Sequence, residues 1–189
     1  MRFSELALKT RSIRRFKQSI RLSRENIYPF VDSARLAPNA ANLQVLRFSV
    51  VTSENSCAKI FPALKWAGYL EEWKGPEEGE RPAAYIVIHA PDEEKPYTRM
   101  DVGIAAAYIV LSASEAGYGS CIIMSFDCGI VAGAVNTPED YRPQLVIALG
   151  VPGEEVILEA AIKDIRYWRD ELGRHHVPKL RIEEIITEQ

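Results

Sequence analysis

The chain has 189 residues, enough for one domain with elaborated ends and too few for two full domains. With 47% hydrophobic and 26% charged residues it has the balance of a folded globular protein, which excludes a disordered segment. A formal net charge of −3 offers no basic field for nucleic acid, and no apolar run is long enough to span a bilayer.

In chain order, residues 4–10 read as a short helix. A second begins after the cap Ser23, with Ile27, Phe30, Val31 and Ala34 at i, i+3, i+4 and i+7 forming one buried face. Residues 46–52 (LRFSVVT) and 84–90 (AYIVIHA) are short β-branched and aromatic runs, the profile of buried strands. Between them lies 74–82 (KGPEEGERP), a Gly-, Pro- and Glu-rich stretch preceded by Trp66, Tyr69 and Trp73. A loop after clustered aromatics suits a lid or a subunit contact. Residues 100–115 are Ala-rich and apolar nearly all round, which predicts a helix buried on most sides and stopped at Gly117. Residues 119–124 (GSCIIM) and 143–149 (PQLVIAL) predict two more strands, and the rest is a tail. This order points to a mixed sheet covered by helices.

Three clusters bear chemistry. Arg11, Ser12 and Arg14, ahead of the bulky Phe16, supply guanidinium forks and a hydroxyl that suit a phosphate; the alternative is a solvated basic patch. Pro38, Asn39, Ala40, Asn42 and Gln44 form a compact amide segment able to read the edge of a planar heterocycle, unless these residues serve only the turn. Lys179 and Arg181 flank Leu180, so both can point the same way from an extended segment. The adjacent His175 and His176 face opposite ways on such a segment and make a poor metal pair, so no metal site is expected. Cys57, Cys121 and Cys128, odd in number and without CxxC spacing, read as free thiols. Asp101, at the start of the apolar helix, reads as an acid with a capping or structural role rather than a catalytic base. The sequence has no GxGxxG after a strand, no P-loop, no GxSxG and no HExxH. The opening Met1-Arg2-Phe3-Ser4-Glu5 lacks a signal-peptide core, so a cytoplasmic location is expected.

Taken in succession, the motifs resemble those of the nitroreductase family. Arg11 to Phe16 is similar to its R-S-x-R-x-F segment, and Ala37 to Phe48 to its A-P-S-x-x-N-x-Q-P-W-x-F segment. Asp101 to Ala106 is similar to the start of its central helix, and Gly117 to Cys121 to the G-x-G-[ST]-C that ends it. Residues 145–152 (LVIALGVP) match the strand and turn that follow. Residues 66–70 (WAGYL) and 167–170 (YWRD) are similar to a compact bacterial and archaeal branch.

The resemblance implies an α+β sandwich over 1–189, a mixed central sheet flanked by helices in an intertwined homodimer, with FMN at the dimer interface. It assigns Arg11, Ser12, Arg14, Lys179 and Arg181 to the flavin phosphate and pyrimidine end, the tail from about 155 contributing to the dimer. Pro38, Asn39, Ala40, Asn42 and Gln44 would reach the flavin from the partner chain, with Ile123, Met124 and Ser125 beside its ring. Trp66, Tyr69 and Trp73 would either stack on a flat small-molecule substrate or pack at the interface. The implied activity is hydride transfer from NADH or NADPH through FMN to a nitroaromatic, quinone or flavin by a ping-pong mechanism, without a catalytic side chain. A flavin storage or sensor protein, or an electron-accepting subunit, is the alternative. Thr10, Asn39, Val45-Leu46 and Met124 depart from the family pattern and bear on the substrate more than on flavin binding.

Overall fold

Four strands, β1 (Arg47–Val51), β2 (Ala84–Pro91), β3 (Gly119–Ile123) and β4 (Tyr141–Gly150), form a sheet in the order β1-β2-β4-β3. The structure is a computed structural model that describes residues 1–93 and 95–188, so Gln189 at the end of the expected tail lies outside the described residues. All three pairings in this sheet are antiparallel. The mixed pairing expected at its centre lies instead in a parallel bridge from Ser12 to Ser120 and in a second sheet.

Both faces of the four-stranded sheet are covered, which explains why β2 and β4 read as continuous apolar runs rather than alternating ones. Ala84, Ile86 and Ile88 of β2, with Leu145, Ile147 and Leu149 of β4, pack against α2 (Arg24–Leu36) and α4 (Pro96–Glu115). Tyr85, Val87, Val146 and Ala148 point the other way, toward α3 (Glu54–Ile60), α5 (Cys128–Val135) and the strap after α1 (Phe3–Lys9). In α2, Ile27, Phe30 and Ala34 are buried as their spacing predicts. The α4 helix begins at Pro96, four residues before the expected start, and buries Val102, Ala105, Ala106 and Ile109. Its opposite side, with Met100 and Tyr108, is exposed, so this helix is apolar all round without being covered all round.

The tail, read as one extended segment near 175–181, holds a second sheet: β5 (Val156–Ala160), β7 (His175–Lys179) and β6 (Trp168–Arg169). Strands β5 and β7 run parallel, and β6 pairs antiparallel to β7. None of the helices among the described residues is long and apolar enough to cross a membrane.

Candidate functional site

Residues 11–17 form a strap laced across the sheet. The Ile13 amide donates to the Ser120 carbonyl at 2.8 Å, Phe16 to Glu80 at 2.8 Å and Lys17 to Val151 at 2.9 Å. Phe16 is the expected anchor, 1% exposed. The strap lies so close that a Cβ at Gly153 would come within 2.9 Å of the Phe16 backbone. This lacing fixes the three predicted phosphate and pyrimidine ligands of the N-terminal segment. Arg11 donates from Nη2 to the Ala7 carbonyl at 2.6 Å, while its buried Nε has no partner among the described residues. Burial lowers the Arg11 pKa from its ordinary value. Ser12 is exposed beside the buried Cys121, whose thiol is pushed up to about 11 by burial. Cys57 is likewise buried, and Cys128 is exposed.

The amide segment is a strained turn. Ala41, Asn42 and Gln44 all have positive φ, at 48°, 55° and 50°, a conformation that is uncommon outside glycine and concentrates at functional sites. Two side chains hold it. Asn39 Oδ1 accepts from the Gln44 backbone amide at 3.1 Å, and Asp101 Oδ1 accepts from the Ala40 amide at 2.9 Å. Of the two roles expected for it, capping or structural, Asp101, 4% exposed, takes the structural one: it sits inside α4, which starts earlier than expected, and ties the turn to the helix. Pro38, Asn39, Gln44 and Asp101 line a cavity of about 280 Å³ between α2, α4 and β1.

Beyond β3, Ile123 is buried, whereas Met124 is 76% exposed and Ser125 is exposed, its carbonyl accepting from the Lys65 amide at 2.9 Å. The aromatic group divides. Trp66 is 8% exposed and packs against Phe61 and Trp73, and a Cβ at Gly75 (φ +119°) would approach its ring to 2.6 Å. Trp66 is thus part of the core. Tyr69 is exposed and lies 4.9 Å from Tyr167, ring to ring, with its amide donating to the Tyr167 hydroxyl at 3.3 Å. Trp73 is half-buried under the Arg169 guanidinium at 4.1 Å. Residues 74–82 are anchored rather than free: Gln18 Oε1 accepts from the amides of Gly79 and Arg81 at 2.7 and 3.2 Å.

The two adjacent histidines face opposite ways, as an extended segment requires, and their neighbours set opposite protonation. His176 lies between two carboxylates, Glu159 at 3.0 Å from Nδ1 and Asp170 at 3.3 Å from Nε2, so both ring nitrogens donate. The bonds to these acids raise its pKa. His175 is fully buried and receives Arg14 Nη1 on its Nε2 at 2.9 Å. Burial first, then the charges of Arg14 and Arg169, push its pKa down to about 4. Glu154, its side chain 2% exposed, accepts from the Arg14 and Arg15 amides and from Arg169 Nη2 at 2.9 Å. Glu154 carries no local sequence signal, and His175 showed only as one of an adjacent pair; their contacts with the strap appear in the structure alone.

Lys179 and Arg181 are exposed and make no ion pair to a described residue. Lys179 lies four residues along β7 from His175, roughly 13 Å at strand rise, so one chain does not bring it onto Arg14. Within one chain the predicted site therefore stands as separate parts: the strap, the amide turn, the β3 end and the distal end of β7.

The nitroreductase family model matches residues 7–151, which takes in the strap, the amide turn, α4 and the whole four-stranded sheet. The chain belongs to the nitroreductase family. It is 27% identical over 165 residues to an iodotyrosine deiodinase of Thermotoga neapolitana, covering 79% of this chain and 88% of that one. A nitroreductase family protein of Clostridium novyi NT superimposes with a TM-score of 0.67 at 28% identity, covering 80% of this chain and 86% of that one. An FMN-dependent nitroreductase of Clostridium difficile does so with a TM-score of 0.64 at 25% identity, covering 84% and 91%. As a nitroreductase family member the chain is an oxidoreductase with the α+β fold expected for it.

Proposed function

We propose that the chain is an FMN-dependent oxidoreductase that takes electrons from NADH or NADPH and reduces a flat acceptor such as a quinone, nitroaromatic or flavin. The observation that carries this reading is the Asn39–Gln44 turn: three strained residues, held by a buried carboxylate, present amides at a cavity. Strain of this kind persists only where surrounding contacts over-determine it, and here those contacts form a donor and acceptor set for a planar heterocycle.

The residues present fit FMN. Arg11 with its orphaned Nε, the exposed Ser12 hydroxyl, and the unpaired Lys179 and Arg181 make a donor set for a phosphate monoester. Arg14 serves the pyrimidine end. Pro38, Asn39, Ala40, Asn42 and Gln44 contact the isoalloxazine from a partner chain, and Ile123, Met124 and Ser125 border its ring. When bound, FMN supplies the chemistry, accepting hydride at N5 and passing electrons to the acceptor. The protein binds, orients and contributes charge, and Met124, which is largely exposed, narrows the substrate space. Tyr69 and Trp73 border that space.

A homodimer completes the site over the whole 1–189 chain. The exposed Met100 and Tyr108 of α4 and the exposed Ile182, Ile185 and Ile186 of the tail supply apolar surface for it. Three free thiols accord with a reducing, cytoplasmic setting. Anaerobic mixing with NADH and with NADPH tests the reading: bleaching of the flavin by one of them, with parallel double-reciprocal lines when a quinone is varied, is expected. A flavin that neither donor bleaches would refute reductase activity and leave a storage protein or an electron-accepting subunit.

A further inference from the structure

We propose that His175 is a positioning residue that holds Arg14 as an oriented, un-neutralised cation facing the pyrimidine end of bound FMN. The proposal rests on the flavin reading above and adds to it a residue from the second sheet, remote in sequence from the strap.

Geometry forces the protonation of His175. A guanidinium only donates, so the 2.9 Å contact from Arg14 Nη1 makes His175 Nε2 the acceptor and places the ring's single proton on Nδ1. That Nδ1 is buried without a partner among the described residues, an arrangement that costs free energy and calls for a reason. Charging the ring would not relieve the cost, since the added proton would sit on Nε2, break the Arg14 bond and leave Nδ1 still unpaired. Tyr167 closes the arrangement: its ring lies 4.7 Å from the Arg14 guanidinium carbon and 5.2 Å from the His175 ring.

Both partners of the Arg14 side chain are neutral. Glu154 accepts from the backbone amides of Arg14 and Arg15 and from the Arg169 side chain, and makes no bond to the Arg14 guanidinium among the described residues. A carboxylate at position 175 would fix Arg14 equally well and cancel its charge. A neutral imidazole fixes the guanidinium and leaves its charge to act on a ligand anion, which is what stabilising a reduced flavin requires.

Two amide substitutions of similar polarity test this. Gln at 175 can place an acceptor where Nε2 stands, whereas the shorter Asn reaches only the Nδ1 position. His175→Asn should bind reduced FMN about tenfold more weakly relative to oxidised FMN, about 30 mV more negative for a two-electron couple. His175→Gln should stay within threefold of the parent. Equal FMN affinity and equal potential in folded His175→Asn would overturn the proposal. Independently of flavin, ¹⁵N NMR of the FMN-free protein should show His175 neutral and protonated on Nδ1 at pH 7; an Nε2-protonated ring would also overturn it. If the parent binds no FMN, the flavin reading fails while the imidazole spectrum still decides whether His175 holds Arg14.

Discussion

Replacing Asp101 by Ala removes the one carboxylate that ties the amide turn to α4, and the balance of terms there makes the outcome diagnostic. A hydrogen bond to a charged acceptor contributes about 1.5–3 kcal/mol. Against it stands the left-handed backbone at Ala41, Asn42 and Gln44, about 1–2 kcal/mol for each non-glycine residue and less for Asn. Summed over the three residues the strain is at least as large as the bond, so the turn relaxes when the bond is lost and recovers part of its strain. Global stability should therefore fall by only about 1–2 kcal/mol, while the turn loses its conformation. Asp101→Asn keeps an acceptor at roughly half the strength, and should cost about 1 kcal/mol with the turn retained. Urea denaturation at fixed protein concentration reads the first quantity, and hydrogen exchange of the Ala40 and Gln44 amides reads the second. If those amides exchange as slowly in Asp101→Ala as in the parent, Asp101 does not hold the turn.

Gly75→Ala should destabilise by about 2 kcal/mol or more, because φ of +119° disfavours any Cβ and the new methyl would lie 2.6 Å from the Trp66 ring; a change under about 0.5 kcal/mol would contradict this packing. Glu154→Ala strands Arg169, whose side chain is 12% exposed, without its acid. A loss of about 3–5 kcal/mol in denaturant titration is expected, and a near-neutral result would show that the strap is held otherwise. His89 and His175 are fully buried with pKa values pushed down by burial from 6.5 to about 4. A folded value below the unfolded one means the contribution is whole above about pH 6.5 and is lost as pH falls toward 4, by at most about 3 kcal/mol for each ring. The raised His176 works in the opposite sense, stabilising at low pH and fading as pH rises through its folded pKa. Denaturation midpoints should fall between pH 6.5 and 4.5, with a shallower fall in His89→Gln; a flat profile would contradict the buried neutral rings.

The centre of the sheet was legible because β2 and β4 are dense apolar runs between polar or Pro-containing segments, buried on both faces. Phe16 as an anchor followed from its size beside the basic cluster. The second sheet was not legible: β6 has two residues, and β5 meets β7 in parallel across fourteen intervening residues, a pairing that leaves no local pattern. The structural role of Asp101 was among those expected, but its place in α4 was not legible, because Pro96 starts the helix inside a polar stretch where periodicity is weak and an interior acid looked like a first-turn residue. Trp66 and Tyr69, three residues apart, looked alike in sequence, yet Trp66 is buried with Gly75 close against its ring and Tyr69 is exposed. Residue types alone pointed to the strap and the amide turn as candidate sites. The Arg14–His175 contact spans 161 positions and belongs to tertiary structure alone.

The central claim is that these separate parts assemble around FMN between two chains. Titrating FMN into protein purified without added flavin, while recording the visible spectrum and the sedimentation mass, tests it most directly. The account predicts saturation at one FMN for each chain in a species of two chains, with affinity lost when Lys179 and Arg181 are both replaced by Ala. A colourless protein that takes up no FMN, or a monomer that binds it as tightly without those two cations, would contradict it.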